Sequence, residues 1–221
     1  MKTFAFVGIA DSGKTRLIRQ LVSELKNRGY TVSIIKHCPH GFALEAQGKD
    51  TAQFVEAGSD SVCMYSPDGL AILQHKKSDL DVIQISREYL KCSDFILVEG
   101  NRSDKRLKKI EVLRKGVSEK ILCSPQELIA VISDFDIEKD VPVFHPEEIG
   151  KIADFLENHP HEKEPQINLN IDGASVPMNP FVQKIFTNSL QGMISSLEGI
   201  PEDPGCITLS LIRKRKKDEK I

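Results

Sequence analysis

Apolar positions along the chain fall into short blocks whose spacing switches between two periods. Thr3–Gly8, "TFAFVG", is a compact run of strand type. Leu17, Ile18, Leu21, Val22 and Leu25 then recur at helical spacing until Gly29 supplies a C-cap. "YTVSIIKH" (Tyr30–His37) has the makeup of a second strand. "SVCMYS" and "LAILQHK" are strand-like and continue the alternation, and "DVIQISREYLK" carries a helical pattern. Phe95, Ile96, Leu97 and Val98 form the unbroken run expected of a strand covered on both faces. "ELIAVISD" gives another strand, and "PVFHPEEIGKIADFLEN" a short strand and a helix. This alternation predicts an α/β domain over residues 1–157, a mostly parallel sheet with flanking helices and a ligand at the strand C-termini.

The pattern changes after that domain. "ENHPHEKEPQ" is charged, holds two prolines and lacks apolar periodicity, so residues 158–166 read as a linker in which His159 and His161 are solvated. Ile167, Leu169 and Ile171 alternate up to Asp172-Gly173, the signature of a two-residue hairpin turn. Phe181, Val182, Ile185, Phe186, Leu190 and Met193 follow near helical spacing, and "CITLSLIRK" returns as a strand. Residues 167–214 are thus expected to form a small C-terminal α+β module of β-β-α-β order, too short for much core of its own. Residues 215–221 form a basic tail.

Composition narrows the class. The chain has 221 residues and a formal charge of -2, which gives no reason to expect nucleic-acid binding. No segment approaches the roughly 18 apolar residues of a membrane span, and the N-terminus lacks a signal-peptide pattern. The five cysteines, Cys38, Cys63, Cys92, Cys123 and Cys206, are scattered without a C-x-x-C pair, as in a reduced, cytoplasmic protein.

Candidate chemistry begins between the first strand and the first helix. "GIADSGKT", Gly8 to Thr15, is a full G-x-x-x-x-G-K-[ST] phosphate loop with the strand before it and the helix after it that the mechanism needs. Gly8, Asp11, Ser12 and Gly13 let backbone N–H groups converge on phosphate oxygens, Lys14 sets an ammonium against the β- and γ-phosphates, and Thr15 offers a hydroxyl to Mg²⁺. Arg16 directly follows and is counted with the same nucleotide-contacting set. Glu99-Gly100 ends the buried strand of "DFILVEG", where a phosphate-loop protein needs a magnesium or water partner; the alternative is a Glu that only begins a surface loop. Asp94, at that strand's start, is expected to be structural.

The stretch "IIKHCPHGFALEAQGKD" admits three readings. Lys36, His37 and His40 can face phosphate or a second anionic substrate while Asp50 returns a carboxylate to Mg²⁺. His37, Cys38 and His40 can hold a metal, although neighbours in an extended segment diverge. Or the histidines are bonded within a loop. Asp134, at the end of "AVISD", can take the guanine N1 and N2 donors or be an ordinary strand-end residue; no N-K-x-D motif is present.

"GIADSGKT", "IIKHCPHGF", "GKDT", "FVEAGSDSV", "DFILVEGNR" and "AVISD" occur in the order and at about the spacings of the molybdopterin-guanine dinucleotide biosynthesis protein B (MobB) family, which the chain resembles over about Thr3 to Glu157. The resemblance implies a P-loop NTPase fold, GTP and Mg²⁺ as cofactors, weak GTPase activity with Lys14 and Glu99 as its catalytic pair, and Thr15, Asp50 and Glu99 about the metal. It implies a homodimer that assists a MobA-type nucleotidyltransferase, which attaches GMP to molybdopterin. Two positions depart from the family: Arg16 stands where a second Thr is common, and Arg102 where a lysine is frequent. An ATP-dependent ligase or kinase, a metallochaperone GTPase and a purely recruiting adaptor use the same fold and remain alternatives.

Overall fold

In the computed structural model, which describes residues 1–41, 49–74, 81–160, 167, 169–171, 174–201 and 207–211, the N-terminal apolar run becomes β1 (Lys2–Val7). After it come α1 (Lys14–Asn27), β2 (Val32–Lys36), α2 (Lys49–Glu56), β3 (Ser61–Ser66), β4 (Gly69–Gln74), α3 (Val82–Tyr89), β5 (Phe95–Glu99), β6 (Lys108–Leu113), β7 (Leu128–Ser133), β8 (Val143–Phe144) and α4 (Ile149–Asn158). These elements belong to the first of two compact units, residues 1–160 and 161–221.

Six strands make one sheet in the order β2-β5-β1-β6-β7-β8, and every pairing is parallel. The mostly parallel α/β arrangement with flanking helices expected from the sequence is the one observed. β1 is central, so Phe4, Ala5, Phe6 and Val7 are all buried. Alternation sends Phe4 and Phe6 to the face covered by Leu17, Ile18, Leu21 and Leu25 of α1 and by Ile152, Ala153 and Leu156 of α4. Ala5 and Val7 face the other side, with Ile96, Val98, Leu107 and Val82 of α3. α1 ends as its apolar stripe does: the Tyr30 and Gly29 amides donate back to the Leu25 and Lys26 carbonyls, a Schellman closure. Asp94 is structural, its carboxylate accepting from the Thr31 amide and hydroxyl at 2.8 and 2.7 Å.

Four expectations need correction. β6 has no counterpart in the sequence reading, because its "KKIEVL" places Lys109 and Glu111 where a central strand should be apolar, yet both are fully buried. β3 and β4 do not extend the main sheet; they form a separate antiparallel hairpin with Tyr65, Leu70 and Ile72 exposed. His159 is not a solvated linker residue: it caps α4, and its ring packs on Phe4 and Phe155 with centroids 5.7 and 5.3 Å away. That burial lowers its pKa. His161 lies outside the described residues.

The fourth concerns the second unit. β9 (Leu169–Ile171) pairs antiparallel with β10 (Ala174–Val176), placing the hairpin where alternation put it; Asp172 and Gly173 lie outside the described residues. α5 (Pro180–Ser195) starts with Pro180 and with the Asn179 side chain accepting from the Val182 amide. Within the returning strand expected over "CITLSLIRK", the described residues Ile207–Leu211 have no regular structure, and Ile207, Leu209 and Leu211 are exposed. An alternating run becomes a strand only where an edge accepts its backbone, and none pairs with it among the described residues.

Candidate functional site

The loop between β1 and α1 owes its shape to positive backbone angles. Gly8 has φ +149°, and a Cβ there would lie 2.6 Å from the Val112 carbonyl oxygen and 2.8 Å from Ser12 Oγ, so only glycine fits. Asp11 at φ 59° and Gly13 at φ 94° turn the chain through left-handed conformations on either side of the buried Ser12. Such alternation aims successive N–H groups into one hollow. Gly13 caps α1 with no side chain, so the amides of the first turn have no acceptor within the helix and add its partial positive charge to the hollow.

The Lys14 ammonium curls over this loop, donating to the Ile9 carbonyl at 2.6 Å and to Ser12 Oγ at 3.4 Å. Burial lowers its pKa below the usual 10.5, while the carboxylates of Glu99 and Asp11 oppose the shift. The Thr15 hydroxyl donates to Glu99 Oε1 at 2.7 Å, across 84 positions of sequence. This contact follows from the sheet. Phe6 stands opposite Glu99 in the β1–β5 register, so the end of β5 reaches the phosphate loop. A hydroxyl and a carboxylate at hydrogen-bond distance beside a ring of amides are the hard oxygen donors and anion cradle that Mg²⁺ and a polyphosphate require, so the residues present fit both.

β2 brings Lys36 opposite Glu99, and the His37 amide donates to the Glu99 carbonyl at 3.0 Å. Both side chains are exposed at this sheet edge. Gly100 has φ +90°; a Cβ would find ordinary space, 3.7 Å from the His37 carbonyl, so its backbone angle and not a close approach calls for glycine. His40 is exposed in a turn closed by the Gly41 amide on the Cys38 carbonyl, and no described contact brings it to Thr15 or Glu99. Arg16 is exposed on the first turn of α1. Asp50 is in the first turn of α2, but its side chain and Gly48 lie outside the described residues. Among the described residues no group of three or more His, Cys, Asp or Glu is placed to hold a metal ion, so His37, Cys38 and His40 do not converge; the Cys38 thiol faces the Lys36 carbonyl. Asp134 is exposed at the end of β7, with Oδ1 accepting from the Lys115 amide at 2.7 Å.

Sequence reasoning missed three residues about the site, all on or just after β6. The Lys109 ammonium donates to the Arg102 carbonyl and to the Glu127 carboxylate, and so anchors the loop that follows Glu99. The Glu111 carboxylate accepts from the Leu122 amide at 2.8 and 3.0 Å and from the Cys123 amide at 2.9 Å. Burial, with Glu111 nearby, pushes the Cys123 thiol up to about 12. Arg114, one residue beyond β6, donates from Nη1 to the Asp11 carbonyl at 3.1 Å. The only signal was charge at every second position, Lys109 and Glu111, alternating with the apolar Ile110 and Val112.

A cavity of about 430 Å³ lies beside the phosphate loop, lined by Ile9 and by Gly116, Val117, Ser118, Lys120 and Leu122 of the β6–β7 loop. A second, of about 290 Å³, lies by Ser33, Leu90, Cys92 and Ser93 at the N-terminal ends of β2 and β5, opposite to where parallel sheets place ligands.

Residues 3–134 match a family model described as molybdopterin guanine dinucleotide synthesis protein B. Over 155 residues the chain is 30% identical to a molybdopterin-guanine dinucleotide biosynthesis adapter protein of Haemophilus influenzae, covering 70% of this chain and 86% of that protein. It is 22% identical to a putative adapter protein of the same description from Methanocaldococcus jannaschii, across 96% of this chain and 97% of that one. A crystal structure of molybdopterin-guanine biosynthesis protein B superposes with a TM-score of 0.55 at 24% identity, over 70% of this chain and 97% of that chain, and supports the fold.

Proposed function

The chain belongs to the molybdopterin guanine dinucleotide synthesis protein B family, and from that premise we propose that it is a GTP-binding adapter with weak GTPase activity that assists the attachment of a guanine nucleotide to molybdopterin. The observation that carries the nucleotide part is the 2.7 Å contact of Thr15 with Glu99 at the mouth of the phosphate loop. In this reading the loop amides from Gly8 to Thr15 bind the β- and γ-phosphates. The Lys14 ammonium leaves the Ile9 carbonyl for a phosphate oxygen and stabilises the charge that builds there as the terminal bond weakens. Thr15 and Glu99, with Asp50, would hold Mg²⁺, which neutralises phosphate charge when bound.

Lys36 and His37, exposed at the same sheet edge, supply cation and hydrogen-bond donors to the terminal phosphate or to the anionic pterin. Asp134 gives one oxygen to Lys115; the other is the acceptor this reading assigns to guanine N1 and N2. Partners need exposed apolar surface, and Phe54, Tyr65, Leu70 and Ile72 of α2 and the β3–β4 hairpin offer it to a second copy of the chain or to a MobA-type nucleotidyltransferase.

Calorimetric titration with GTP and with ATP, each with Mg²⁺, tests the reading. GTP should bind at least tenfold tighter, a difference of about 1.4 kcal/mol, and Lys14→Ala should abolish binding. Preference for ATP would turn the assignment towards a ligase or kinase, and undiminished affinity in Lys14→Ala would remove the site.

A further inference from the structure

The phosphate loop contains one strained position that is not glycine. Asp11 holds φ 59° without the freedom of a glycine. Its carbonyl is the group to which Arg114 donates, at 3.1 Å. Arg114 is itself fixed. Its amide donates to the Ser118 carbonyl at 3.1 Å, its carbonyl accepts from the Ser118 and Val117 amides at 2.8 and 3.0 Å, and the next amide, of Lys115, is tied to Asp134, just after β7, at 2.7 Å. A peptide plane has its carbonyl and the following N–H on opposite sides. Holding the Asp11 oxygen outward on the guanidinium therefore turns the Ser12 amide away from Arg114 and onto the Ile9 carbonyl, to which it donates at 3.4 Å and on which Lys14 also rests.

The geometry points to Arg114 as a positioning residue of the phosphate loop: it acts through the Asp11 peptide and keeps the loop amides preorganised for a phosphate anion. Asp134 is the far end of the same chain, through Lys115 and Arg114. The two walls of the 430 Å³ cavity, Ile9 and the β6–β7 loop, are joined by this link. The inference rests on the reading that the loop binds a nucleoside triphosphate, but the conformational part can be tested without one.

In the ligand-free full chain, Arg114→Ala should speed hydrogen exchange of the Ser12 amide, held on the Ile9 carbonyl, about fivefold, the weight of one net hydrogen bond, and Arg114→Lys should recover part of the protection. Unchanged exchange overturns the proposal whether or not GTP binds. A melting temperature lowered by more than about 4 °C would also overturn it, since the residue would then be a general support. The affinity arm is a double-mutant cycle. Arg114→Ala should weaken GTP·Mg²⁺ binding about fivefold in the parent and less than about twofold in an Asp11→Gly background, because glycine adopts the left-handed angle unaided. Equal losses in both backgrounds would mean that Arg114 touches the phosphate directly, which overturns the indirect role. Failure of the parent to bind GTP would reject the nucleotide reading and leave the exchange result to decide the conformational one.

Discussion

Lys14 shows what single residues contribute before any ligand arrives. Its ammonium is bonded to a carbonyl, and burial lowers its pKa below 10.5 despite Glu99 and Asp11. A phosphate dianion in the loop would favour the charged form and raise the pKa again. The sign follows. Above the lowered pKa of the free protein, binding must take up a proton, so affinity falls as pH rises from that value towards 10.5. Calorimetry in two buffers of different ionisation enthalpy should report proton uptake at alkaline pH and none near neutrality, and Lys14→Arg should remove the dependence, since guanidinium does not titrate there. A flat profile in the parent would mean that Lys14 does not meet phosphate. The motif made Lys14 and Thr15 readable from sequence because the loop carries its chemistry in consecutive residues. Arg114 was not, because its partner Asp11 lies 103 positions away and only the β1–β6 pairing joins them.

At the scale of the element, β6 explains why part of the fold escaped a reading by hydrophobic pattern. Ile110 and Val112 face α1 and α4, while Lys109 and Glu111 project to the opposite side. Loop backbone packs against them there, and backbone presents N–H and C=O groups that need partners. Lys109 answers a carbonyl of the loop after β5, and Glu111 answers two amides of the loop before β7. Charge in this strand is therefore a consequence of being covered by loops, which no periodicity count can foresee. Glu111→Ala should leave the Leu122 and Cys123 amides without their buried acceptor and destabilise the protein by about 3 kcal/mol. Urea unfolding measures the loss, and exchange should quicken at Leu122 and Cys123 before it does at Ile110. A loss under about 1 kcal/mol would show that water replaces the carboxylate and that β6 does not depend on it. β5 was readable for the converse reason: Phe95 to Val98 are apolar because each face packs into an apolar cluster, Phe95 and Leu97 with α1 and α4, Ile96 and Val98 with Ala5, Val7 and Val82.

For the whole molecule, the distribution of core decides what each unit can do. Every described side chain in the three buried apolar clusters lies in residues 1–160; the second unit contributes none, and α5 buries no residue along its whole length. A segment of about 60 residues with no buried core among its described residues is not expected to offset its own conformational entropy. Nucleotide binding should therefore reside in the first unit alone. A chain ending at Pro160 should unfold cooperatively, with stability within about 1 kcal/mol of the full chain and GTP affinity within about twofold, whereas residues 161–221 alone should show no cooperative transition. A truncated chain that loses GTP affinity tenfold while keeping its stability would mean that the second unit completes the nucleotide site. A cooperative transition in the isolated segment would mean that Phe181, Ile185, Phe186 and Met193, exposed here, find a core among themselves or in a second copy. Unfolding midpoints measured at two protein concentrations separate these last two cases, because only association makes the midpoint depend on concentration.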